Sequence, residues 1–291
     1  LYSNQTNQYN VAIGKSALYS LAGSSLDGNV AVGWEAGRNA QCDTSTIMIG
    51  YRSGYRQKGH SSISIGYEAA RYAEGGQTVA IGRNAGSGVG NHSATGVFIG
   101  YQTGMRVASG STSVFTHVGW RAGYQMSGSN DFFGYSAGYG SVSSAPYGSG
   151  QFNVGIGTNA LYNLSTGEYN VAVGRGAGDS ITTGKYNTIL GGSSPASALT
   201  NQNENVVIGY RAAESYNFGS SNVFIGGYVA KDWGSVQTHH CVVIGAYAGY
   251  DPDGTEATGA TLVGAYAGYQ GAGNSTAIGY KAAQYATGSN N

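Results

Sequence analysis

Of 291 residues only 10% are charged, against about 25% in an ordinary domain, and 14 basic side chains balance 14 acidic ones. That balance removes the electrostatic footprint that nucleic acid or an anionic membrane surface requires, and no run of 18 apolar residues offers a membrane-spanning helix. Gly supplies 51 residues without a three-residue period and Pro only 3, which excludes collagen, while 41% apolar content in regular β-branched triplets excludes a disordered chain.

The chain opens on Leu1–Tyr9, which lacks the charged and apolar regions of a signal peptide. Then a unit begins that recurs to the end: an apolar triplet closed by Gly. It reads Val11-Ala12-Ile13-Gly14, Val30-Ala31-Val32-Gly33, Ile47-Met48-Ile49-Gly50, Ile63-Ser64-Ile65-Gly66, Val79-Ala80-Ile81-Gly82 and Val97-Phe98-Ile99-Gly100. The pattern degenerates through Gly119 and Gly134, then resumes at Gly157, Gly174, Gly191, Gly209, Gly226, Gly245, Gly264 and Gly279. That makes 16 copies at intervals of 15 to 23 residues. A period in this range signals a solenoid, with one structural repeat stacked on the next. The whole of 1–291 reads as a single repeat domain, with an irregular seam near 131–152, where Pro146 stands in the longest interval.

Each triplet predicts a short strand, because β-branched residues favour the pleated conformation and the runs are too short for helices. Residues one and three before the Gly share one strand face. That face is nearly uniform: Val, Ile, Leu or Phe directly before the Gly in every copy, and Val or Ile at the other position in eleven. We therefore expect the core at Val11, Ile13, Val30, Val32, Ile47, Ile49, Val79, Ile81, Val171, Val173, Val206, Ile208, Val223 and Ile225. The middle residue faces the other way and is also mostly apolar. A strand apolar on both faces needs cover on both. Met48, Phe98, His117, Phe132, Ile189, Val207, Phe224, Val243 and Leu262 are accordingly expected at a subunit interface.

Three residues after the Gly stands Ala in twelve copies, followed by Gly or Ala in thirteen, which predicts a tight corner. A weaker second strand and a Gly, Ser, Asn and Thr-rich loop should complete each coil. Asn before the triplet (Asn10, Asn29, Asn153, Asn170, Asn187, Asn205, Asn222) is expected to close the turn in a left-handed conformation. Aromatic residues follow the Gly directly at Trp34, Tyr51, Tyr67, Tyr101, Trp120, Tyr135, Tyr210 and Tyr280. Tyr recurs five residues after it at Tyr19, Tyr55, Tyr124, Tyr139, Tyr162, Tyr250 and Tyr269. On stacked rungs such positions form surface ladders.

Asn10-Val-Ala-Ile-Gly-Lys-Ser-Ala17 resembles the head repeat of trimeric autotransporter (YadA-type) adhesins. The longer units, such as Asn153-Val-Gly-Ile-Gly-Thr-Asn-Ala-Leu-Tyr-Asn-Leu-Ser-Thr-Gly167, are similar to repeats of phage and phage-like tail fibres. The resemblance spans nearly the whole chain. It implies an all-β solenoid of the left-handed parallel β-roll type, with three chains intertwined or packed about an axis. It also implies a C-terminal intramolecular chaperone that is cleaved after trimerisation, and no such segment stands before Asn291. The function it implies is that of a structural and adhesive fibre in the virion tail, meeting a cell-surface glycan or protein receptor and other fibre or baseplate proteins. An extracellular or cell-surface autotransporter head and a filament-forming solenoid are alternatives. A glycan depolymerase on a β-helix is the enzymatic one.

No catalytic, cofactor or metal residue is expected. His239-His240-Cys241 are adjacent on extended backbone and point to alternate faces, so they cannot converge on one ion. Cys42 and Cys241 form no framework. Asp251-Pro-Asp253-Gly254-Thr-Glu256 carries Leu262 where a calcium loop needs its twelfth-position carboxylate, so a solvated turn is the reading. Gly86-Ser-Gly88 and Gly174-Arg-Gly176 open no helix after a strand, which removes a phosphate site. His117, in the middle of its triplet, could meet its symmetry mates on a threefold axis.

Overall fold

The computed structural model describes residues 8–20, 27–41, 45–74, 76–88, 95–105, 114–140, 148–214, 218–232, 238–250, 258–269 and 275–285. The chain is an all-β parallel solenoid with one strand per repeat. It divides into two compact units, 1–149 and 150–291, whose boundary falls within the irregular stretch. The first unit holds β1 (Val11–Ile13), β2 (Val30–Val32), β3 (Ile47–Ile49), β4 (Ile63–Ile65), β5 (Val79–Ile81), β6 (Thr95–Ile99), β7 (Val114–Val118) and β8 (Asn130–Phe133). The second holds β9 (Asn153–Ile156), β10 (Val171–Val173), β11 (Thr188–Leu190), β12 (Val206–Ile208), β13 (Val223–Ile225), β14 (Val242–Ile244), β15 (Thr261–Val263) and β16 (Thr276–Ile278).

Within each unit every strand pairs in parallel with its successor, like position against like: Val30 opposite Ile47, Ala31 opposite Met48, Val32 opposite Ile49. Parallel pairing needs a connection of a dozen or more residues, and the remainder of each repeat supplies it. The Gly that ends the triplet fixes the geometry. At Gly209 φ is +141°, where side chains are strained, and a Cβ would stand 2.2 Å from the carbonyl oxygen of Gly226 one rung on. Gly33 repeats this against Gly50 at 2.5 Å. Backbone approaches backbone here, so only Gly fits.

The strand faces are inverted relative to the sequence expectation. Met48, His117, Phe132, Ile189, Val207, Phe224, Val243 and Leu262 are fully buried within their own chain, and Phe98 is 1% exposed. They fill the coil and so cannot form a subunit interface. The residues expected in the core point outward instead. Val11, Ile13, Ile49, Ile81 and Val171 are exposed, and Val30, Val32, Ile47, Val79, Val173, Val206, Ile208, Val223 and Ile225 are half-buried. The interior of so thin a coil is adjusted rung by rung. For three of the rings in the middle position, Phe98, His117 and Phe132, the residue six positions on is Gly (Gly104, Gly123, Gly138). A Cβ there would meet the ring at 2.1–2.3 Å. Opposite the small Ala12 and Gly155 the same position carries Leu18 and Leu161, both fully buried, while Ala31, Ala80 and Ala172 are followed there by Gly37, Gly86 and Gly178, where larger side chains of neighbouring rungs such as Met48, Phe98 and Ile189 come in. Volume is exchanged across the coil to keep interior density.

The expected second strand is replaced by overlapping turns. Ala36 N–H donates to Gly33 O, Arg38 N–H to Glu35 O and Ala40 N–H to Gly37 O. The third residues of these turns, Glu35, Gly37 and Asn39, have φ of 54°, 62° and 55°. A left-handed residue at that place marks a type II turn, so three follow each other in two-residue steps. The remaining N–H groups bond between rungs. Glu35 and Asn39 donate to Lys15 O and Tyr19 O on the rung before, and Gly37 and Gln41 donate to Ser53 O and Gln57 O on the rung after. The turn side is thereby hydrogen-bonded both within and between rungs, which offsets left-handed backbone at non-Gly residues.

The Asn positions also differ from expectation. The left-handed residue is the one before: Tyr169 before Asn170 (φ 57°), Tyr186 before Asn187 (φ 59°), Glu204 before Asn205 (φ 60°). The Asn itself turns inward and is buried. In the second unit five of them form a ladder. Each Oδ1 accepts from the backbone N–H and the Nδ2 of the Asn one rung on, at 2.9–3.1 Å, from Asn153 through Asn170, Asn187 and Asn205 to Asn222. The ladder ends where Cys241 N–H donates to Asn222 Oδ1 at 3.0 Å.

Candidate interaction surfaces

Three features face solvent. The first is the outer side of each unit's sheet. Its columns are the residues flanking the middle of each triplet, all Val, Ile, Leu, Phe or Thr except Asp131. Ile81 is 36% exposed and Ile99, its partner on the next strand, 37%, so large apolar groups stand partly in water on consecutive rungs. Contiguous apolar surface of this kind is a common feature of interaction sites.

The second is aromatic. Trp34, Tyr51 and Tyr67 lie on consecutive rungs, with centroids 4.8 Å apart at each step, Trp34 edge-on to Tyr51 and Tyr51 stacked nearly parallel on Tyr67. Tyr101, Trp120 and Tyr135 continue at 4.3 and 6.2 Å. The rung between these sets has Arg83 in place of a ring, and its guanidinium lies 5.2 Å from Tyr67 and 5.9 Å from Tyr101. A cation over the ring faces thus completes the stack. Tyr210 and Tyr280 meet Tyr228 and Tyr266 edge-on, outside that column. Five residues after the Gly, Tyr124 stacks on Tyr139 at 5.0 Å and Tyr250 on Tyr269 at 5.3 Å, whereas Tyr55 meets Tyr72 edge-on.

Two further ladders escaped the sequence reading. Phe152, Tyr169 and Tyr186 stack at 5.1 and 5.2 Å, each five residues before its Gly. Tyr228, Tyr247 and Tyr266 stack at 5.0 and 5.2 Å, each two residues after its Gly. Their signal was a Tyr at fixed offset from successive glycines, hidden because all six residues are left-handed, where an aromatic is not expected. In all the stacked runs the ring faces are spent on neighbouring rungs. Edges and hydroxyls remain for solvent.

The third feature is charge, paired in both units: Lys185 with Glu168 and Arg211 and Lys231 with Glu214 in the second, and a denser set in the first. Glu35 accepts from Arg38 and from Arg52 Nε at 2.7 Å, and Glu68 pairs with Arg71 at 2.7 Å. Burial alone would raise the Glu35 carboxyl, but the hydrogen bonds from Arg52 and Arg38 outweigh it and hold it below the usual carboxylate range. Lys58 pairs with Glu74 on the next rung.

Interior chemistry is sparse. His117 sits among Phe98, Phe115 and Phe132 at 5.7, 5.1 and 5.2 Å, and neither ring nitrogen has a hydrogen-bond partner. Burial pushes its pKa down to about 3, so the ring is neutral. Its place inside the coil rules out a meeting with other copies on an axis. His239 Nδ1 accepts from Ser220 N–H at 3.0 Å, while Cys241 is buried and its thiol is pushed up by that burial, so the two do not share a site. Among the described residues no three His, Cys, Asp or Glu side chains gather as a metal site. Cys42 and the 251–256 turn lie outside the described residues. Compared with protein-family models, with curated proteins and with solved structures, the chain matches none.

Proposed function

We propose that the chain is a structural fibre segment of a phage or phage-like tail, acting in attachment to a host surface as a homotrimer. One observation carries this reading: the outward face of each sheet is apolar on rung after rung and almost free of charge, with a single Asp among its columns. An interface core is depleted of charged residues in this way, and the flat repeating face is matched by an identical face on another copy. The coil's interior holds one middle side chain per strand, a small core of the sort that oligomerisation supplements. The sequence resemblance to tail-fibre repeats supplies the biological setting. Attachment would then be multivalent and non-enzymatic, with three chains presenting repeated weak sites whose avidity replaces a deep pocket.

Light scattering tests the assembly. We expect a species of three times the 29.8 kDa chain mass. Ile208→Lys, on the outward face between Leu190 and Ile225, should shift it to the single-chain mass while leaving the far-ultraviolet dichroism of the fold intact. An unmodified chain that runs at the single-chain mass would sink the trimer.

A further inference from the structure

A groove of about 370 Å³ lies on the first unit, lined by Asn39, Gln41, Arg56, Lys58, Tyr72 and Glu74. The repeat explains its form. Asn39, Arg56 and Tyr72 stand six residues after Gly33, Gly50 and Gly66, and Gln41, Lys58 and Glu74 stand eight after the same glycines. Two columns of side chains therefore run up three consecutive rungs. The residues between them in sequence, Ala40, Gln57 and Ala73, are buried. The two-residue step of the turns sets the separation of the walls, and backbone bonds from Gln41 N–H to Gln57 O and from Lys58 N–H to Ala73 O hold the rungs in register.

The walls are polar, and part of their bonding capacity is unspent. The carboxylates nearby are already engaged: Glu35 by Arg38 and Arg52, Glu68 by Arg71, Glu74 by Lys58. Arg56 is the cation left over. It is exposed, lies 5.7 Å over the Tyr55 ring, and forms no ion pair among the described residues. The amides of Asn39 and Gln41 likewise make no side-chain hydrogen bond among the described residues. A free guanidinium is a planar fork suited to a carboxylate or sulfate, and side-chain amides offer paired donors and acceptors.

We infer that this groove binds an acidic oligosaccharide, its carboxylate or sulfate on Arg56 and its ring hydroxyls on Asn39, Gln41 and the Lys58–Glu74 pair. The volume lies within the range of small-ligand sites. An acidic peptide fits less well, since peptide recognition uses an open sheet edge, an apolar groove or a cluster of arginines, and these walls offer none of them. The inference rests on the attachment reading above and narrows it to one site and one ligand class.

The test is an array of neutral, sialylated, uronate-bearing and sulfated oligosaccharides with a hexaglutamate peptide beside them. It is probed with the full chain, with Arg56→Gln and with Asn39→Ala. We expect retention on acidic glycans above neutral ones, weakened by salt, and at least ten-fold lower for Arg56→Gln with unchanged dichroism. Retention that is equal for Arg56→Gln, absent on every acidic glycan, or as strong on hexaglutamate overturns the inference. A parallel panel of whole bacterial cells separates the two levels. Adhesion of both the unmodified and Arg56→Gln chains would leave the attachment reading standing without this site, and adhesion of neither would remove both.

Discussion

The two units carry the same strand and the same Gly, yet they reinforce the stack differently. The first places rings at the core and surface: Phe98, Phe115, His117 and Phe132 inside, Trp34 to Tyr135 outside with Arg83 among them, and ion pairs along the turns. Before its strands the amides are interrupted: Asn29 N–H donates to Asn10 Oδ1 at 2.8 Å and Thr46 N–H to Asn29 Oδ1 at 3.0 Å, but Thr46, Ser62 and Thr78 then follow, with the weaker contact of Thr78 N–H to Ser62 Oγ at 3.2 Å. The second unit has ion pairs and buried rings too, at Glu168–Lys185, Glu214–Arg211 and Phe218–Phe224, but its continuous column is one of buried amides, Asn153 to Asn222, and it stacks tyrosines at other offsets. The backbone repeat is thus the constant. Which column of side chains repeats like-on-like is free to vary.

The largest expected effect falls on what the units share. Gly82→Ala in the first and Gly209→Ala in the second should each cost more than about 4 kcal/mol, because the added Cβ meets backbone in an already strained conformation. Gly259→Ala, with open space around it and φ of +79°, should cost only about 1–2 kcal/mol. Denaturant titration followed by hydrogen exchange in each unit checks all three. Equal losses at Gly209 and Gly259 would show that the close approach of rungs does not limit stability.

Acid should separate the units. His117 titrates near 3 when folded and near 6.5 when unfolded, so the unfolded chain binds more protons between those values. The contribution is intact above pH 6.5 and lost as pH falls, by about 3 kcal/mol at pH 4. The groups packed on the ring are Phe98, Phe115 and Phe132, none able to hold the added charge. Asp179 in the second unit is raised by burial, the opposite sign, and acid does not penalise it. Protection over residues 114–133 should therefore fall before that over 153–222 on acidification, and His117→Phe should abolish the difference.

Smaller still is the contrast between amide and hydroxyl. Asn187→Ala removes an acceptor for two groups of Asn205 and a donor to Asn170 and Gln202, and should cost about 2–3 kcal/mol. Ser62→Ala in the first unit should cost about 1 kcal/mol. Equal midpoints for the two would erase the distinction drawn between the units.

The strand positions, their parallel stacking and the first aromatic column were legible because β-branched triplets and a closing Gly repeat so often. The inside was not. Alternation defines two faces without saying which is inner, and uniform Val and Ile suggested a core, while the scatter from Ala12 to Phe98 suggested a surface. Physically the scatter belongs inside, since the rings Phe98, His117 and Phe132 are answered by Gly104, Gly123 and Gly138, and the small Ala12 and Gly155 by Leu18 and Leu161. That pairing was in the sequence six residues apart. The turn side was less readable, because left-handed places are held by Ser16, Glu35, Arg52 and Glu68, whose residue types announce nothing of the kind. The groove followed from the turns and was hidden with them.

Like-on-like register has a consequence for how such a chain changes length. Inserting or deleting one whole repeat presents the neighbouring rungs with the same Gly contact and the same strand partners, so the gain or loss is a notch on a ruler. A change of a single residue inside the triplet instead swaps inner and outer faces for that rung. Unequal recombination between repeats would lengthen or shorten the molecule in whole steps, and the span between its ends could be tuned without redesigning any single contact.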